Sequence, residues 1–294
     1  MNFGPGFSTA RIATTGAEIH LTQGGAGPPL LLLHGYPQTH VMWHRVAPAL
    51  AAHFHVICPD LRGYGDSSKP ASTADHAPYS KRTMAQDMVE VMAALGYREF
   101  FAAGHDRGAR VTHRLALDHP ESIRKACVMD IVPTRHMFHT ADQAFATGYY
   151  HWFFLIQPDG LPERMIGADP AYYLKEKLRR WSAPGASFDA AAVAEYVRCF
   201  TAETIHASCE DYRAAAGIDL RHDDHDSERG KKIRCPLRVL WGAQGFIQRS
   251  YDVLPVWRDY AAQVTGRALE CGHFLPEEAP HEVSEELLRF FSED

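Results

Sequence analysis

Nowhere in the 294 residues is there an apolar run of about 18 residues, so no segment reads as a helix crossing a bilayer. The first residues, MNFGPGFSTARIATTG, also lack the basic start and apolar middle of a secretory signal, and the expected location is the cytoplasm. A basic excess is missing too. Lys and Arg number 30 against 36 Asp and Glu, a net charge of −6. That balance argues against a nucleic-acid partner, while leaving room for a small anion held by local arginines. The six cysteines, Cys58, Cys127, Cys199, Cys209, Cys235 and Cys271, include no CxxC pair. Free thiols are therefore expected, with neither a disulfide framework nor a zinc site. Internal repeats and low-complexity tracts are absent. The remaining composition, 46% hydrophobic, is that of a chain able to bury one large core, with or without an insertion.

Five short apolar runs each end in a turn-like or polar cluster: PLLLLHG (29–35), HVICPDLRG (55–63), FFAAGHD (100–106), KACVMDIV (125–132) and PLRVLWGAQ (236–244). They read as buried parallel strands. Helical patterns such as KRTMAQDMVEVMAALG (81–96) and RVTHRLALDHP (110–120) lie between them. The alternation predicts an α/β fold, a mostly parallel sheet with ligands at the carboxyl ends of its strands. From about Pro133 to about Glu228 the pattern is helical and aromatic, as in GYYHWFFL (148–155), PAYYLKEKLRRW (170–181) and the long stretch 188–217. This predicts a helical cap domain, 134–228, inserted into a core domain made of 1–133 and 229–294. The stretch RHDDHDSERGKK (221–232), despite the cluster His222, Asp223, Asp224, His225 and Asp226, reads as a solvated loop and not as a metal site.

The chemistry concentrates in GHDRGAR (104–110). An Asp framed by glycines between a strand and a helix sits where a sharp turn pushes one side chain out of the sheet. HGYP (34–37), after an earlier strand, suits a loop offering backbone N–H groups to an oxyanion. CPDLRGYGDSS (58–68) adds a glycine-rich turn, and His273 stands before the final helix.

With nucleophile, acid, cap and histidine in that order, the sequence resembles the α/β-hydrolase superfamily over nearly its whole length. An Asp at the elbow looks like the branch containing dehalogenases and soluble epoxide hydrolases. A carboxylate displaces a leaving group from saturated carbon, and water activated by a histidine then hydrolyses the resulting ester. The resemblance implies Asp106 as nucleophile, His273 as base, and backbone N–H groups of Tyr36 and Arg107 as the oxyanion hole. The acid that fixes the histidine often follows the strand after the cap, in a WGxxD-like stretch. Here that place reads WGAQGF (241–246), and the implied acid is Asp130.

Arg107 and Arg110 follow the nucleophile, three residues apart on one helix face. They suit a substrate carrying its own carboxylate, which would otherwise repel Asp106 by roughly 4 kcal/mol at about 4 Å and an effective dielectric of about 20. In the cap, His151, Trp152 and Tyr212 offer donors to a departing halide. Together these match the fluoroacetate (haloacetate) dehalogenases. That resemblance implies hydrolysis of short haloacids to glycolate and halide, with no metal or organic cofactor and a possible homodimer. An epoxide hydrolase is the alternative enzyme, and a ligand-binding protein without turnover the third reading.

Overall fold

The computed structural model describes residues 3–293. Its strands are β1 (Phe7–Thr14), β2 (Ala17–Gly24), β3 (Pro29–Leu33), β4 (His55–Pro59), β5 (Phe100–His105), β6 (Ile123–Met129), β7 (Leu237–Gly242) and β8 (Val264–Leu269). They form one eight-stranded sheet in the order β1-β2-β4-β3-β5-β6-β7-β8. The pairs β1/β2 and β2/β4 are antiparallel, and every other neighbouring pair is parallel.

The five apolar runs read from the sequence are β3 to β7. Their side chains are mostly apolar on both faces because helices cover the sheet on both sides, and every residue of β5 is buried. Three strands escape the sequence reading. β1, β2 and β8 lie at or near the edges, and β1 and β8 alternate partly buried with exposed positions. A half-wet strand needs no apolar run, so it leaves little signal.

Helices Lys81–Ala94, Arg107–Asp118 and Pro170–Trp181 form where their periodicity predicts. Ser80 caps the first, its Oγ accepting the Thr83 N–H. The stretch 188–217 divides: one helix covers Ala190–Cys199, and a second, Ala202–Ala214, starts at Thr201, whose hydroxyl accepts the Thr204 N–H. Between β6 and β7 the regular structure is entirely helical, beginning at Thr134 and ending at Glu228.

The stretch 221–232 corrects the expectation of a loop, since Leu220–Glu228 is a helix. Its acids face cations from other elements. Arg114 binds both Asp223 and Asp226, and Arg135 reaches Asp224 at 2.7 Å. These tertiary pairs hold a segment whose local composition suggests solvent, and they occupy the carboxylates that resembled a metal cluster.

The chain crosses from β4 back past β3 to β5, so the winding direction reverses between β3 and β5. In such sheets the crevice beyond the strand ends at the reversal is where ligands bind.

Candidate active site

β5 ends at His105 and the next helix starts at Arg107. Asp106, between them, has φ 48° and ψ −115°, a conformation that costs a non-glycine residue about 1–3 kcal/mol and persists only where its surroundings impose it. The glycines make the turn possible. A Cβ on Gly104 would lie 2.4 Å from the Gly108 carbonyl oxygen, and one on Gly108 would lie 2.4 Å from that of His34. Tight packing of β5, its helix and the end of β3 thus pushes the Asp106 carboxylate beyond the strand ends. There Oδ1 accepts the Tyr36 N–H at 2.8 Å.

His273 follows β8, and Asp130 follows β6 with φ 53°. The Asp130 carboxylate takes two bonds, from the Gly242 N–H at 2.9 Å and from His273 Nδ1 at 2.6 Å. The first orients it and the second fixes the imidazole tautomer, leaving Nε2 to face the elbow. That Nε2 is 3.9 Å from Asp106 Oδ2 and has no hydrogen-bond partner among the described residues.

Burial alone would lower the His273 pKa, but the bond and charge of Asp130, with Asp106 behind, raise it above its usual 6.5. Burial works to raise Asp106, yet His273, His105, Arg107 and Arg110 hold it below the usual carboxylate value. His105 stays neutral, pushed down to about 3 by burial and by His273, and its Nε2 donates to the His273 carbonyl at 2.6 Å. Gly245 stands in the place of the WGxxD acid. A Cβ there would lie 3.5 Å from Asp130 Oδ1, so the two strand ends aim at one spot.

The two arginines differ in their partners. Arg107 is held by Asp211, through Nε to Oδ2 at 3.0 Å and Nη2 to Oδ1 at 2.5 Å, which leaves Nη1 without a partner. Asp211 also binds Lys81 and accepts the Tyr64 hydroxyl at 2.7 Å. Among the described residues Arg110 has no carboxylate bound. Its Nη1 donates to Val132 O at 3.1 Å and Thr134 Oγ1 at 2.9 Å, while Nε is buried and unpaired. Burial, then Arg107, lower it to about 10.

His151, Trp152 and Tyr212 are all buried around these groups. Arg107 lies over the Tyr212 ring at 4.1 Å and Arg110 over Trp152 at 4.7 Å. The His151 ring is 5.6 Å from that of Tyr212. Among the described residues Tyr212 Oη and His151 Nδ1 have no hydrogen-bond partner. Burial keeps His151 neutral, its pKa well below 6.5, and burial with Asp106 raises Tyr212 well above 10.

All eight side chains predicted from the sequence, with the Tyr36 N–H, therefore converge. The sequence reading missed Asp211, although it directly precedes Tyr212, and it missed the wall formed by Trp181 and Lys177. A cavity of about 380 Å³, lined by Tyr149, Tyr150, Lys177, Arg180, Trp181 and His273 among others, leads to this point. A larger one, about 680 Å³ near His76 and Glu210, does not touch Asp106 or His273. One cluster with metal-ligand spacing is the half-buried His20 with the buried His40 and Asp60. The Asp60 oxygens there already take the N–H groups of His40 and Asp66 and both imidazoles.

The family model for the alpha/beta hydrolase fold matches residues 28–280. The chain belongs to the α/β-hydrolases. This hydrolase is 43% identical over 290 residues to a fluoroacetate dehalogenase of a Burkholderia species, covering 98% of this chain and 95% of that one. It is 35% identical over 285 residues to a soluble epoxide hydrolase of Corynebacterium sp. strain C12, covering 94% of each. Among solved structures, an alpha/beta hydrolase from Nostoc sp PCC 7120 superposes with a TM-score of 0.96 at 58% identity, covering 98% of the hydrolase and 99% of that chain.

Proposed function

We propose that the hydrolase converts short haloacetates, fluoroacetate among them, and water to glycolate, halide and a proton. The observation that carries this reading is Arg110, a buried guanidinium beside Asp106 with no carboxylate bound to it. A buried cation without a counter-charge is costly, and a substrate carboxylate supplies one. Arg107, anchored by Asp211, offers its free Nη1 to the same group. We further propose that 134–228 is a cap domain closing over a core of 1–133 and 229–294.

In this reading an Asp106 carboxylate oxygen attacks the carbon bearing the halogen. The C–O bond forms as the carbon–halogen bond breaks, and the electron pair leaves with the halide. His151, Trp152 and Tyr212 donate to the departing ion, a contribution that matters most for fluoride. Water, losing a proton to His273 Nε2, then attacks the ester carbonyl carbon. Asp130 supports the imidazolium, and the N–H groups of Tyr36 and Arg107 take the oxyanion. Glycolate leaves, and Asp106 is regenerated.

The epoxide hydrolase reading has one specific support, the buried unpartnered Tyr212 hydroxyl, which would donate to an opening epoxide oxygen. The similarity to the Corynebacterium epoxide hydrolase is the reason to keep it. Fluoride release, followed with an ion-selective electrode, separates the two, with chloroacetate and styrene oxide run in parallel. Sustained halide release from the acids is the expected result. Diol from the epoxide with no halide from either acid would overturn it.

A further inference from the structure

The proposed mechanism leaves one buried cation without a task. Lys177, on the helix Pro170–Trp181, is 2% exposed. Its Nζ donates to the Tyr150 hydroxyl at 2.8 Å and lies 4.0, 5.0 and 5.2 Å from the ring centres of Tyr150, Tyr173 and Trp181. Among the described residues no carboxylate forms an ion pair with it, although its neighbour Arg180 pairs with Glu176 at 3.2 Å. A fully buried lysine without a carboxylate is uncommon. Its surroundings explain the position. Lys177 lines the cavity of about 380 Å³ that has His273 in its wall, together with the exposed Arg180 and Arg249. Three cations therefore mark one passage from solvent to the base, and Lys177 is the one inside it.

We propose that Lys177 is a positioning residue that binds the carboxylate of the incoming substrate in this passage, before the acid reaches Arg110 and Arg107. The proposal rests on the haloacetate reading and adds a second point of carboxylate recognition. A cation set in a narrow, low-dielectric passage raises the local concentration of anions, and does so only for charged substrates. The groups facing Nζ are the Tyr150 hydroxyl, the aromatic rings, Arg180 and, by charge, His151. None of these competes for it as an anion. Burial, then Arg180, bring the ammonium down to about 7, so an arriving carboxylate also favours its protonated form.

Lys177→Met keeps the stem and removes the charge. In low salt, kcat/KM for fluoroacetate should fall by about tenfold, through KM, with kcat little changed. The gap should narrow in about 0.5 M salt. Acetate should become a weaker competitor and acetamide should not, and Lys177→Arg should recover most of the loss. Unchanged kcat/KM, a loss confined to kcat, or equal weakening of acetate and acetamide would overturn the proposal. Acetate titrated calorimetrically into both proteins needs no turnover. Weaker binding to Lys177→Met supports the carboxylate site even if no halide is released, and equal binding removes it even if halide release is intact.

Discussion

At the scale of single residues, the site is a set of charges whose protonation is set by neighbours. In the proposed mechanism His273 must be neutral to take a proton, yet Asp130 raises its pKa above 6.5. Turnover should therefore fall as the pH drops through that raised value. The stability linkage has the opposite sense: the His273–Asp130 pair contributes fully below about 6.5 and loses its contribution as pH rises through the folded value. Asp130→Asn should lower the His273 pKa, as read from its imidazole NMR titration, and cut turnover by up to about 10⁴-fold. An unmoved titration would mean that Asp130 does not support the imidazole. His273→Gln should still allow alkylation. Mass spectrometry after exposure to fluoroacetate should then find a carboxymethyl group on Asp106, and unmodified protein would break the two-step scheme. The elbow motif and a histidine in the stretch before the final helix were legible because they are local patterns, whereas Asp130, His151, Trp152 and Tyr212 were singled out through the family resemblance. The grip of Asp211 on Arg107 was not legible, since 104 positions separate them and no spacing rule connects the first residue of one helix to another helix so far along the chain.

Among elements, the elbow between β5 and its helix has the least tolerance. Gly104→Ala would press a methyl group onto the Gly108 backbone, which cannot swing aside as a side chain would. We expect a loss of about 1–3 kcal/mol in urea unfolding, together with a large fall in kcat as Asp106 is displaced. Wild-type stability would show that the helix start yields freely. The same scale separates what sequence patterns reveal from what they hide. β3 and β5 announce themselves because both faces are covered and every position but the terminal His105 of β5 is apolar. β1 and β8 show only partial alternation, and the helix Leu220–Glu228 owes its order to Arg114 and Arg135, which belong to other elements.

For the whole molecule, Asp211 joins the helices between β6 and β7 to the sheet and its flanking helices. It sits on the helix Ala202–Ala214 and binds Lys81 at the start of one sheet-flanking helix and Arg107 at the start of another. Asp211→Asn would leave both cations undercompensated. A loss of about 3–5 kcal/mol is expected, with a raised KM for haloacetate as Arg107 loosens. Burial would raise the Asp211 pKa, but Arg107 and Lys81 hold it well below its usual 3.8. Its contribution is therefore present above about 3.8 and lost as pH falls toward its folded value. Unaltered urea midpoints would show that the two parts are held together elsewhere.

The spot shared by Asp130 and Gly245 has a further consequence for how this active site can be rewired. In the proposed mechanism the acid is defined by a point in space that two separate strand ends reach, so its address in the chain is exchangeable. Gly245 has φ −82°, which any residue accepts, and Asp130 has φ 53°, which glycine accepts more easily than aspartate does. Gly245→Asp alone should inactivate, because two carboxylates would crowd one place. Combined with Asp130→Gly it should restore a measurable part of the halide release, making the pair a reciprocal swap that neither single change can imitate.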